Sequence, residues 1–128
     1  MTLTLPVQLP TAGGWTLADY GRTRMRTTPA AGGLATIDMG QLDGNEMWLV
    51  DHAVVYCDSS TSTALRWYES TVAPDALLDG SNSGNFDVGD WPVGLQVAPT
   101  QSLVAQWSGA SDGAVGVVSI QYRVLRFT

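Results

Sequence analysis

The 128-residue chain has no lysine, a single cysteine (Cys57), a single histidine (His52) and only two glutamates, Glu46 and Glu69. One cysteine excludes a disulfide framework and argues against a cysteine-based zinc site. The lone histidine follows Asp51 directly, so on a strand the two side chains point to opposite faces and form no local Asp–His pair. No apolar run approaches the roughly 18 residues of a membrane-spanning helix. The opening MTLTLPVQLP lacks a basic segment followed by a long apolar core, so no secretory signal is expected and synthesis in a cytoplasm is. Charge is scarce: 14% of residues are charged, against roughly 25% in ordinary soluble domains. Twelve acidic residues and six arginines give a net charge of −6. Phosphate repels such a surface, so nucleic acid is not an expected partner. A weakly charged surface rich in Ser, Thr, Asn, Gln and Gly suits a protein that covers part of itself with partners, and also suits an ordinary turn-rich β-protein.

What the chain has is strand signal. The clearest is Ala114–Phe127, AVGVVSIQYRVLRF. There Val118, Ile120, Tyr122 and Val124 alternate with Ser119, Gln121 and Arg123, the period of a strand with one buried face. The phase slips at Val124–Leu125, which predicts a bulge or bend. Glu46–Cys57 reads as a long strand with apolar residues on both parities, interrupted only by Asp51 and His52. That pattern predicts a central strand covered on both sides, one of them by a second subunit, with Met47, Leu49 and Val55 as interface candidates. Thr63–Glu69 reads as the return strand of a hairpin with it. Leu34–Met39, Val93–Val97 and Ser102–Trp107 are shorter strands. Ser70–Pro92 shows no strand period and reads as a long loop, a length often tied to function. The expected fold is an all-β antiparallel sandwich, jelly-roll-like, of about eight strands with an extended N-terminal arm.

The arm is placed at 1–33 and the sandwich at 34–128, with the flexible PAAGG of Pro29–Gly33 as the joint. Leu3, Leu5 and Val7 make a short strand that Pro6 confines to an edge. Trp15, Leu17 and Tyr20 need a surface to lie on, in this domain or in a neighbour. Arg22, Arg24 and Arg26 alternate with Thr23, Met25 and Thr27, so an extended chain puts three guanidinium groups on one side. Half of all the positive charge sits in the five residues Arg22–Arg26. The stripe reads as a solvated strand face, as a contact for an acidic protein surface or, last of the three, as one for nucleic acid.

Catalytic signatures are weak. No nucleophile elbow, phosphate loop or dinucleotide fingerprint is present, and no enzyme is expected. DGSNSGNFDVGD sets Asp79, Asp87 and Asp90 at calcium-loop spacing. Its third and fifth positions are neutral Ser81 and Ser83, and Asp90 stands where a longer bidentate Glu is needed. A turn loop is therefore expected, with no metal or other cofactor. Five tryptophans are many for this length. Trp48, Trp67 and Trp107 fall on strands as core candidates. Trp91, with Asp79, Asp87 and Asp90, is the alternative ligand loop, because an exposed indole there could stack on a sugar ring.

Four stretches in order resemble one family: Trp48-Leu-Val50, Trp67-Tyr-Glu-Ser70, LLDGSNSGNFDVGDWP, and LVAQWSGASDGAVGVVSIQYRVL. Over about Gly40–Leu125 the chain resembles small β-sandwich virion structural proteins of actinobacterial tailed phages. The matching motifs are turn and core residues, which specify a fold more than an activity. The resemblance implies a non-enzymatic capsid decoration (cement) protein, ahead of a tail-tip or fibre head domain that binds a host receptor or glycan. It further implies a homotrimer on the outer surface of the head, assembled in the bacterial host cytoplasm, with the major capsid protein as partner and no membrane. Trp15, Tyr20, Arg22, Arg24 and Arg26 would then carry the attachment.

Overall fold

The computed structural model describes residues 14–127; the short strand expected over Leu3–Val7 lies outside them. Eight strands follow one another: β1 (Trp15–Arg26), β2 (Leu34–Asp38), β3 (Glu46–Cys57), β4 (Ala64–Glu69), β5 (Leu77–Ser81), β6 (Phe86–Val97), β7 (Leu103–Ser108) and β8 (Gly116–Phe127), with one 3-10 turn at Pro74–Ala76. They form two four-stranded sheets, ordered β1-β8-β3-β6 and β2-β7-β4-β5, and every pairing is antiparallel. This is the strand order of an eight-stranded jelly roll, and the all-β sandwich expected from the sequence is what forms.

The core lies between the sheets. Val50, Leu65, Val97, Leu103, Trp107, Val118 and Ile120 are fully buried there. Trp107 is the largest of them, and its Nε1–H donates to the Gly84 carbonyl at 2.8 Å, so its one polar atom is satisfied. Its six-membered ring lies flat against Gly116, where a Cβ would come within 2.6 Å of Cζ3. The opening glycine of β8 therefore makes room for an indole, and not for a turn.

Several sequence expectations change here, each for a physical reason. Trp15–Arg26, assigned to the arm, is strand β1 and pairs with β8 along its whole length. Its inward residues Thr23 and Met25 face the core side while the arginines face out. Glu46–Cys57 and Ala64–Glu69 do not form a hairpin: β3 sits in one sheet and β4 in the other. Asp58–Thr63 crosses between the sheets. Thr63 Oγ1 donates to Asn85 Oδ1 at 2.7 Å, and the Asn85 amide donates back to the Thr61 carbonyl at 3.0 Å. Ser70–Pro92 is only partly a loop, because it holds β5 and the first half of β6. Glycine, proline and aspartate hid those strands, and both are sheet edges, where such residues are tolerated.

The two-faced apolar pattern of β3 has a local origin. The register shifts between Val50 and His52 against both neighbouring strands, so Asp51 is a bulge. Val50 faces the core before it; Ala53, Val55 and Cys57 face the core after it. A phase change of this kind puts both parities inside one chain. Met47 and Val55 are 3% and 4% exposed and present almost nothing to a second subunit; Leu49 is half-buried and packs beside Gly94. The slip seen at Val124–Leu125 also has its bulge elsewhere. It lies opposite, on β1, between Leu17 and Asp19.

Candidate binding surface

β1 is an edge strand, and its alternation decides where charge goes. Gly21, Thr23 and Met25 oppose the inward residues Tyr122, Ile120 and Val118 of β8, while Arg22, Arg24 and Arg26 oppose Gln121, Ser119 and Val117 on the outer face. All three arginines are exposed. The remaining arginines are engaged. Arg123 forms a two-pronged pair with Asp51, Nε to Oδ2 at 3.0 Å and Nη2 to Oδ1 at 2.7 Å. Arg126 reaches Glu46 at 3.7 Å. Arg66 donates to the Leu65 and Ser81 carbonyls and to Asn82. Among the described residues no ion pair uses Arg22, Arg24 or Arg26. Three guanidinium groups thus stand in a row on an otherwise acidic molecule.

The other predicted members of the stripe are split. Tyr20 is 71% exposed and joins the same outer face. Trp15 is half-buried at the far end of β1, where its ring lies 5.5 Å from that of Phe127. Gly21 lies between these groups, paired with Tyr122. Tyr122 lies across it, so that a Cβ there would fall 2.4 Å from the ring. Tyr122 also shares a hydrogen bond of 3.0 Å with Thr23 and stacks on Trp48 at 3.9 Å. The stack holds Tyr122 in place over Gly21, beside the ladder that joins β1 to β8.

The alternative loop residues gather at the opposite edge, around a cleft of about 100 Å³ between β5 and β6. Trp91 Nε1–H donates to Asp79 Oδ2 at 2.7 Å, and its ring meets Trp67 edge-on at 5.8 Å. Ser81 Oγ–H donates to Asp87 Oδ2 at 2.5 Å, and the Val88 amide donates to Asp87 Oδ1 at 2.8 Å. The Ser81 bond first, then the Val88 bond, hold the Asp87 carboxyl below the usual carboxylate range. Asp90 pairs with His52 at 2.6 Å, directly opposite it on the neighbouring strand. Each acid is thus spent on a different neighbour. Among the described residues no group of three or more His, Cys, Asp or Glu is placed to hold a metal ion. Gly84, the glycine of the calcium-loop spacing, is a packing residue, since a Cβ there would meet Thr63 Oγ1 and the Trp107 ring.

The His52–Asp90 pair was not legible in the sequence, because the two residues are 38 apart and no local pattern links them. Nor was the apolar end of the outer face. Tyr56 lies between Phe86 and Val117, and Val54 lies beside Val88; Tyr56, Phe86 and Val88 are all exposed. Cys57 behaves as expected of a small core residue. It is buried, and burial pushes its thiol up from the ordinary value.

The fold and this surface define an eight-stranded jelly roll with one basic edge. No protein-family model matches the chain, and no curated protein matches it. Solved structures do. One is a chain of the acid-stable capsid of Helicobacter pylori bacteriophage KHP30, with a TM-score of 0.55 and 10% identity, covering 85% of this chain and 90% of that one. Another is a chain of the disulfide-linked pili that form Bacillus endospore appendages, with a TM-score of 0.50 and 13% identity, covering 88% and 93%. At these identities the likeness is one of fold.

Proposed function

We propose that this chain is a non-enzymatic virion structural protein of the capsid-decoration type. It binds the assembled head of a tailed phage as a homo-oligomer, a trimer in the simplest case, on the outer surface. The single observation that carries this reading is the row of Arg22, Arg24 and Arg26 on the exposed face of β1, with no ion pair to any described residue. Guanidinium groups in a row suit carboxylates on the major capsid protein, through charge-assisted hydrogen bonds. Tyr20, and Trp15 where its ring is uncovered, flank the stripe as aromatic contacts. Met1–Gly13 is assigned to the attachment arm on its sequence alone. The jelly roll is an architecture that viral capsid proteins and lectins share, so fold analogy favours this class without deciding it.

A single exposed charge pair contributes only about 0.2–1 kcal/mol, so attachment depends on several subunits engaging together. The test is co-sedimentation with purified phage heads across a salt series. The wild-type protein is expected to bind, and to bind less as salt rises. Arg22→Glu with Arg24→Glu and Arg26→Glu is expected to abolish binding while the far-ultraviolet dichroism stays unchanged. Binding that survives both the triple reversal and high salt would refute the assignment. A glycan array that lights up with the wild-type protein, and darkens with Trp91→Ala, would favour the head-domain alternative instead.

A further inference from the structure

The sheet that carries the arginine row ends in two open edges, β1 and β6. Among the described residues no strand pairs with the outer side of either. Open edges invite pairing with another chain, and proteins govern that with charge. Here the two edges differ in sign. On the outer face β1 presents Arg22, Arg24 and Arg26, and β6 presents Asp90 beside Val88 and Phe86. Pairing β1 with β1 of a second copy would set guanidinium against guanidinium. Pairing β6 with β6 over Phe86–Asp90 would set Val88 against Val88 and Asp90 across from Phe86, with no cation to meet the carboxylate. Only the mixed pairing brings opposite charges together.

Direction agrees as well. Because β1, β8, β3 and β6 alternate in sense, β6 of one copy meets β1 of the next antiparallel when the sheet simply continues. The outer faces are then contiguous. Apolar exposure points to the same edge: Phe86 is 63% and Val88 47% exposed, and in the mixed pairing arginine stems and a guanidinium cover them. Pro92 and the register break opposite Asp51 take Trp91–Gly94 off the ladder, which confines the new pairing to Phe86–Asp90 against Tyr20–Arg26. The second sheet lacks such a match. Its edges β2 and β5 have five residues each, and both carry an aspartate, Asp38 and Asp79.

We infer that the chain associates with a second copy of itself head to tail, the β6 edge of one adding to the β1 edge of the next. Such an interface is heterologous, so it closes into a ring or runs on as a filament. It stands on the two edges and does not require the capsid reading. Asp90 gives one oxygen to His52 but its side chain is 72% exposed, so it can also engage one guanidinium, which leaves the others on the outer face.

Sedimentation velocity on the full-length chain tests this. The wild-type protein is expected to gain mass with concentration and to lose it with salt. Two variants break it from opposite sides. One is Arg22→Glu with Arg24→Glu and Arg26→Glu; the other is Val88→Arg with Asp90→Arg. Each is expected to weaken association at least about a hundredfold. Mixed one to one they are expected to reassemble, since each then offers the edge the other needs. Val88→Arg alone is the milder variant if the double one misfolds by circular dichroism. It leaves the arginine row intact, and sedimentation is read without heads present, so its lost self-association bears on this inference alone, while failure of the wild-type protein to bind heads bears on the capsid reading. Amide exchange supplies the backbone readout: protection over Tyr20–Arg26 and Phe86–Asp90 should rise together with concentration. A monomer at every concentration would overturn the inference. So would association that ignores both variants, or edge protection in β1 that is independent of dilution, as expected if residues 1–13 fold back on it.

Discussion

Replacing Gly116 by alanine asks whether the indole of Trp107 sets the position of β8. A Cβ at Gly116 would lie 2.6–2.8 Å from Cζ3, Cε3 and Cη2 of Trp107, well inside contact distance. The indole cannot retreat freely, because it is fully buried and its Nε1–H is held by the Gly84 carbonyl. The strand is held too, since the Gly116 amide donates to Thr27 Oγ1 at 3.0 Å and its carbonyl accepts from the Thr27 amide at 2.8 Å. Overpacking a site of this kind costs about 1–3 kcal/mol. Trp107→Phe removes the outer ring atoms and orphans the Gly84 carbonyl, which also costs about 2 kcal/mol. The two changes interfere, because the shorter phenyl vacates the space the new methyl needs. The double variant should therefore cost less than the sum of the singles by about 1 kcal/mol or more. Urea unfolding followed by far-ultraviolet dichroism reads this without depending on the tryptophan that is removed. With a slope of about 2 kcal/mol per molar, each single change lowers the midpoint by about 1 M. Strictly additive costs, or a Gly116→Ala protein as stable as the wild type, would refute the packing argument.

Two further outcomes follow from contacts elsewhere. Gly21→Val should push Tyr122 off β1 and loosen that strand, read as faster amide exchange over Trp15–Arg26 while β7 stays protected. Asp87 titrates below its ordinary value of 3.8 in the folded chain, so its contribution to stability is present above that pH and fades as pH falls through the lowered value. Ser81→Ala removes the larger cause, and its urea midpoint should fall less steeply than that of the wild type as the pH drops below about 4.

Legibility followed sequence distance. The strands with clean alternation, β8, β7 and β2, were readable because burial on one face imposes a period of two on neighbouring residues. The arginine row was readable for the same reason, since its outward direction is set by its own strand. β6 was not. FDVGDWPVGLQV is rich in strand-breaking residues, and only its position at a sheet edge, with Pro92 lifted off the ladder, lets it pair. The candidate site divides along the same line. The exposure of Arg22, Arg24 and Arg26 was inferable, but the pairing of Asp79 with Trp91, Asp87 with Ser81 and Asp90 with His52 was not, because each needs two strands brought side by side.

Local order in the chain was enough to show that this protein is built of strands, and that half of its cations cluster on one side of one extended segment. Those properties depend on residues within a few positions of each other. Which strands share a sheet, and that β3 and β4 lie in opposite ones, depended on long-range packing around Trp107. So did the conversion of an apparent second apolar face of β3 into ordinary core. A single bulge at Asp51 reverses which parity points inward, and nothing in the neighbouring residues marks it, because its partner Arg123 lies 72 residues away.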